Sequence, residues 1–382
     1  MDLGLTEIQQ MLKTSAQEFL AQECPPSLVR DLEEDPRGYT DELGRQMAGL
    51  GWTGLPFAEE YGGSGGSFMD LAVLLEEMGK ALVPGPFFPT VVLGGLTVAD
   101  VGTSEQKHDI LPGVCEGSLR LTLALTEPSA SYEPWGVETT ATARGDDYIL
   151  NGTKLFVPYA HAADILLVAA RTSPAAASSA ASSEGITLFM VPAGTAGLTV
   201  EVLGSIASDK QCEMALDQVR VSKDAILGGL NQGWPVVHRA LQRATAAMCA
   251  QMLGGADAIV DMTVDYVTQR TQFGRPIGSF QAIQHQCARM ATDVEGCRNI
   301  VHLAAWSVSE GMPSEREVAM AKAWTSQAYQ RVCTAAHQCH GAIGFTKEHD
   351  LQLYTRRAKV MELSYGDVET HREAFFQQIE SL

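Results

Sequence analysis

The sequence predicts a mainly α protein with a central β domain. Residues 1–118 form an N-terminal helical domain, 119–224 a β domain and 225–382 a C-terminal helical bundle. Three observations carry this. Apolar residues recur at helical spacing near the N-terminus. Short runs of aliphatic and β-branched residues, separated by turn pairs, fill the middle. Helical periodicity returns near Ala225 and persists to the end.

In the first segment Leu5, Ile8, Met11, Leu12, Ala16, Phe19 and Leu20 fall on one helix face. Glu59-Glu-Tyr-Gly-Gly-Ser-Gly-Gly66 is a turn-rich break before a helix over Met69–Met78. It lacks the Lys-Ser/Thr that follows a phosphate-cradling loop, so it reads as a plain loop. Pro84, Pro86 and Pro89 mark a stiff connection. Leu121–Thr126, Tyr148–Leu150, Ile165–Val168, Ile186–Val191 and Leu198–Val202 then read as strands, punctuated by Gly145-Asp146 and Asn151-Gly152. The Ala/Ser-rich stretch Ser173–Gly185 is of low complexity and is expected to be a mobile hairpin loop. Beyond it, Trp234, Val237, Leu241 and Ala244 recur at helical spacing, as do Ile259, Met262, Tyr266 and Val267.

The most informative stretch is Arg270-Thr-Gln-Phe-Gly-Arg-Pro-Ile-Gly-Ser-Phe-Gln281. Gly274, Pro276 and Gly278 break the helix before it. Ser279 is placed to cap a second helix through Ile283, Cys287 and Met290. A guanidinium can grip a pyrophosphate by two parallel hydrogen bonds, and Phe273 offers a ring to pack on. A solvated helical corner could use the same residues.

Composition limits the partners. The chain has 382 residues, 45% of them hydrophobic, and a net charge of −19. That balance argues against nucleic acid or an anionic membrane surface. No apolar run approaches the ~20 residues of a membrane span. The N-terminus shows no signal-peptide pattern, so a cytoplasmic location is expected. Eight cysteines occur singly, without a CxxC pair, and read as buried free thiols. His340 and His349 lack a third ligand at metal spacing and read as ordinary helix-end histidines, so no metal is expected.

The Arg270–Gln281 stretch resembles a signature of the acyl-CoA dehydrogenase family. Three further stretches match in order: Gly54-Leu-Pro through Gly63 with Leu75-Glu-Glu-Met-Gly79, Leu125-Thr-Glu-Pro128, and Gln338-Cys-His-Gly-Ala-Ile-Gly-Phe345 with Arg357-Ala-Lys359. The resemblance covers nearly the whole chain. It implies an N-terminal helical domain, a middle β-barrel or sandwich domain and a C-terminal four-helix bundle. It also implies FAD as cofactor, an acyl-CoA thioester as substrate, and an electron-transfer flavoprotein or similar acceptor. The reaction of the family is α,β-desaturation, with a glutamate removing the α-proton.

The chain departs from the family where the chemistry should lie. The two usual glutamate positions fall on Tyr365 and Ala244, and no carboxylate occurs between Gly233 and Ala256. A phenol with a pKa of about 10 is a poor base at neutral pH. Asp367 is the nearest acid, displaced by two positions and short, and reads first as a surface or capping carboxylate and only second as a base. Thr126 could hydrogen-bond the flavin ring system, but Tyr132 and Glu133 stand where phosphate should lie, and Pro158 replaces a threonine. The residues that by resemblance grip the ADP half of a neighbouring subunit's FAD are present: Arg270, Phe273, Gln281, Gln338 and Gly341, with Gln272 a small departure.

One half of a flavin site is kept and the other, with the base, is lost. The expectation is therefore a base-lacking subunit of a heterotetramer with a paralogous partner that binds most of the substrate. By analogy with bacterial heteromers of this family, the thioester could carry a fatty acid or steroid side chain. Other readings remain: a self-sufficient homotetramer using a non-standard acid, an oxygen-using flavin monooxygenase of the same fold, or a non-enzymatic scaffold.

Overall fold

The computed structural model describes residues 4–173 and 183–380. Most of the Ala/Ser-rich stretch, residues 174–182, lies outside the described residues. Packing divides the chain into two compact units: Met1–Asp31, Ser67–Val83 and Thr245–Leu382 form one, Leu32–Gly66 and Pro84–Ala244 the other.

The helices α1 (Glu7–Glu23), α2 (Pro26–Glu34), α3 (Asp41–Gly49), α4 (Phe68–Lys80), α5 (Leu96–Val101) and α6 (Ser104–Cys115) precede the sheet. Capping boxes start three of them: Thr6 with Gln9, Ser67 with Asp70, and Thr103 with Gln106. The glycine-rich loop is closed on itself. The successive amides of Gly62 to Gly66 all donate to carbonyls of residues 54–59, so none is free for phosphate.

Strands β1 (Leu121–Ala124), β2 (Thr140–Arg144), β3 (Asp147–Pro158), β4 (Ile165–Arg171), β5 (Ile186–Pro192), β6 (Leu198–Leu203), β7 (Gln211–Ser222) and β8 (Ile226–Leu227) form one mixed sheet. Its order is β6-β7-β3-β2-β4-β5-β8, with β1 parallel to β4. Leu150, Val157, Leu166, Val168, Phe189, Val191, Met214 and Val219 lie in its core. The strands β2, β7 and β8 were not expected. In β7 the inward residues Cys212, Met214 and Leu216 change parity to Val219 and Val221, which hides the alternation. The cause is a bulge at Gln218, whose φ is 55°, where the pairing with β3 shifts register.

The second run of helices is α7 (Gly233–Gln269), α8 (Gln281–Ser309), α9 (Glu315–His340), α10 (Leu351–Leu363) and α11 (Val368–Glu380). Between α7 and α8 stands a two-stranded hairpin, β9 (Thr271–Gln272) and β10 (Arg275–Pro276). In the unit that holds the C-terminal helices, α4 is buried on every side. It can approach α7 closely because Gly79 meets the Gln251 backbone and Gly254 meets the Glu76 carbonyl, where a Cβ would clash. Its carboxylate Glu76 is held by Lys13 at 2.9 Å, Arg298 at 2.6 Å and His302 at 3.2 Å. Burial would raise that carboxyl. The three partners outweigh it and hold the group at about 2. No helix among the described residues is long and apolar enough to cross a membrane.

Candidate functional site

The hairpin after α7 is built for exposure. Phe273 and Gly274 both have positive φ, 54° and 77°, the backbone of a tight two-residue turn that matches strand twist. A phenylalanine rarely adopts that conformation. Its ring is 91% exposed. The base of the hairpin is closed by the Ile277 amide donating to the Arg270 carbonyl at 2.8 Å. Arg275 lies over the Phe280 ring at 4.2 Å. Arg270 is exposed, and its guanidinium makes no ion pair or hydrogen bond among the described residues.

Ser279 does not cap α8, contrary to the sequence expectation. A short turn over Ile277–Ser279 intervenes, and the Ser279 hydroxyl donates to the Pro276 carbonyl at 2.7 Å. Phe280 occupies the cap position without a side-chain bond, and Gln281 opens the helix, exposed. Gln281 therefore stands at the positive end of a 29-residue helix.

The end of α9 is joined to this hairpin. Tyr266, one turn before Arg270, stacks on His340 with ring centroids 4.3 Å apart. Its hydroxyl donates weakly to the His340 carbonyl at 3.4 Å. His340 lies between Gln338 and Gly341, so Arg270, Gln338 and Gly341 belong to one packed region. Gly341 ends the helix with φ 65° and ψ −144°, and open space surrounds the position a Cβ would take. Gln338 is exposed and lines a groove of ≈ 810 Å³ with Gln286, Arg289, Asp293, Arg331 and Thr334. His340 is more than a helix-end histidine. It is buried, edge-on to His349 at 4.7 Å, and neither ring nitrogen has a partner among the described residues. Burial, then the charges of His349 and His337, push it down to about 4, so the ring is neutral at pH 7.

These groups fit the adenosine diphosphate half of FAD. They offer an unpaired guanidinium, a free aromatic face, two exposed carboxamides and a glycine open to close backbone approach.

The residues matched to the flavin ring lie in the other unit and are tied differently. Thr126 is buried, and its carbonyl accepts from the Leu155 amide at 2.8 Å. Phe156 is 49% exposed, with φ 55° at an irregularity between β3 and β7. The Pro158 carbonyl is taken by the Thr122 hydroxyl at 2.7 Å. Leu125–Trp135 contains Glu127 and Glu133 and no Lys or Arg, so it offers phosphate no cation. This set suits a flavin ring poorly.

Beneath it lies an ion pair the sequence did not reveal. Lys154, fully buried, donates to Glu127 at 2.6 Å and to the Leu125 carbonyl at 3.1 Å. Glu127 also accepts from the amides of Glu138 at 2.9 Å and Thr139 at 3.0 Å. The pair pins Leu125–Glu127 to β3.

At the expected base positions, Ala244 is buried in α7 and Tyr365 sits in a turn with φ 59°. Asp367 caps α11. Its carboxylate accepts from the Thr370 amide at 2.9 Å and the Thr370 hydroxyl at 2.7 Å. Those bonds hold its carboxyl below the usual range. Under the turn lies Lys322, a second residue that sequence reasoning missed. Its buried ammonium donates to the carbonyls of Met361, Glu362, Ser364 and Gly366 at 2.7–3.1 Å. Burial pulls it down to about 8, still protonated at pH 7.

Comparison with known proteins places the whole chain. Models of the acyl-CoA dehydrogenase N-terminal, middle and C-terminal domains match residues 6–118, 122–219 and 231–379. A probable acyl-CoA dehydrogenase of Bacillus subtilis is 33% identical over 389 aligned residues, covering 99% of this chain and 100% of its own. The structure of butyryl-CoA dehydrogenase from Megasphaera elsdenii is similar with a TM-score of 0.91 and 32% identity, over 99% of this chain and 100% of that one. The ChsE4-ChsE5 complex from Mycobacterium tuberculosis is similar with a TM-score of 0.90 and 27% identity, over 100% of both chains.

Proposed function

The chain belongs to the acyl-CoA dehydrogenase family of FAD-dependent oxidoreductases, and from that premise we propose that it is the base-lacking subunit of a heteromer. In this reading it lends the ADP grip to FAD held mainly by a paralogous partner. The partner supplies the ring contacts, the catalytic glutamate and most of the acyl-CoA site. One observation carries the proposal: an exposed, unpaired Arg270 at the base of a two-stranded hairpin contrasts with a tyrosine and an alanine where a base should stand. The ChsE4-ChsE5 complex, a chain of which shares this fold, supports the assembly.

Arg270 would hold pyrophosphate, Phe273 would offer its face, and Gln281, Gln338 and the Gly341 backbone would complete the grip. When bound, the flavin supplies the hydride acceptor for α,β-desaturation. The residues of this chain bind and orient it and abstract no proton.

The test is to co-purify the chain with its partner and titrate FAD into the apo complex. A charge-assisted contact is worth about 1.5–3 kcal/mol. Arg270→Ala is therefore expected to weaken FAD binding by roughly ten- to a hundredfold. Arg270→Lys should recover only part, because an ammonium lacks the planar fork. Unchanged affinity in Arg270→Ala would reduce the hairpin to a structural corner. A yellow, active enzyme from this chain alone would remove the heteromer.

Asp367 is assigned a capping role. Asparagine also caps helices, so Asp367→Asn should shift stability by no more than ~1 kcal/mol. Turnover of the complex should stay within about tenfold of the parent, whereas loss of a general base costs ~10²–10⁴. A thousandfold loss with normal assembly would make Asp367 the base.

A further inference from the structure

The antiparallel helices α8 and α9 are held in register by two contacts. Gly296 lies against the Trp324 ring, and Asp293 accepts from Nη2 and Nε of Arg331, at 2.6 and 3.0 Å. Moving from Asp293 toward the start of α8 and from Arg331 toward the end of α9, the two helices run side by side. This brings Cys287 level with Cys339. Their chain neighbours Gln286 and Gln338 line the same groove, and each thiol is near enough to shift the other's titration. Among the described residues Cys287 is the one cysteine that is not fully buried. Cys339 is buried behind it, so an oxidant from solvent meets Cys287 first.

We propose that Cys287 and Cys339 form a site of reversible oxidation, an intramolecular disulfide that staples α8 to the end of α9 beside Gln338. The oxidant is hydrogen peroxide. The Cys287 thiolate attacks the O–O bond, giving a sulfenic acid and, after protonation, one water. The Cys339 thiol then displaces the second water, its proton leaving with that oxygen. Two thiols lose two electrons and two protons, and peroxide becomes two waters. Burial raises both thiols above their ordinary value, so the pair stays reduced against brief exposure and reacts faster as pH rises.

The experiment treats the purified full chain with hydrogen peroxide at pH 7 and pH 9 and maps its peptides without reduction. The expected product is one linkage between the peptides of Cys287 and Cys339, reversed by dithiothreitol. It should form faster on the order of tenfold per pH unit, following the thiolate fraction. It should be absent from Cys287→Ser. In Cys339→Ser, Cys287 should stop at a sulfenic acid that dimedone captures. In the oxidised parent, amide exchange across Gln338–Phe345 should slow. The proposal is overturned if Cys287 passes to sulfinic acid without the linkage, if the parent stays fully reduced at both pH values, or if the linkage forms without changing exchange in that segment.

Discussion

Replacing Lys322 by methionine is expected to remove about 4 kcal/mol of stability. The side chain is fully buried, and its ammonium serves four carbonyls at the end of α10 and in the following turn. Methionine fills the volume but donates nothing. Each buried carbonyl left without a partner costs ~1–3 kcal/mol, and losing several at once reaches that total. The damage should be local first. Tyr365 is held in a left-handed conformation that a non-glycine residue adopts at a cost. The Lys322 bonds below it and the His371 ring, donating to the Tyr365 carbonyl at 2.9 Å, keep it there. Amide exchange should therefore rise across Met361–His371 in Lys322→Met, with a lowered thermal midpoint for the whole chain. A variant as stable as the parent, with unchanged exchange, would show that water replaces the ammonium without cost.

Lys154→Met is the second large effect. It leaves the Glu127 carboxylate in the sheet domain without its hydrogen-bonded cation, with backbone donors and the more distant charge of Arg171 for company. Breaking a buried pair in this way costs ~3–5 kcal/mol. The double variant Lys154→Met/Glu127→Gln should be more stable than the single one, because no charge is then buried. Thermal midpoints of the parent and the two variants decide it. A double variant no better than the single would sink the argument.

Much of the fold was legible because periodicity is a local signal. Helices, sheet and helices follow one another as the pattern of apolar residues states. What escaped notice was short or non-local. The four paired residues of β9 and β10 are too few to show alternation, and a phenylalanine at positive φ gives no warning in the sequence. Lys154 and Lys322 look like any surface lysine until their depth is known. Inward parity was the available hint for Lys154: it falls between Leu150 and Val157 on a strand whose partner residue is the buried Met214. For Lys322 the hint was weaker, a lysine among alanines on an otherwise apolar helix face. The residues proposed to grip the ADP moiety were legible through the motif. Their convergence was not, because it depends on the stack of Tyr266 on His340, 74 residues apart.

One compact unit is assembled from both ends of the chain, and this dictates an order of events during synthesis. Helix α1 pairs Lys13 with Glu76, and Glu76 pairs with Arg298, 222 residues further on. A ribosome making the chain at ~5–20 residues per second delivers α1 well before α8 exists. For that interval α4, buried almost throughout in the finished fold, has no completed unit to enter, while the segment from Pro84 to Ala244 is already whole. The nascent chain thus carries a hydrophobic helix that must be shielded until the last third is made. A chain stopped after Ala244 should keep its sheet but aggregate through α4, and adding residues 245–382 as a separate polypeptide should rescue its solubility.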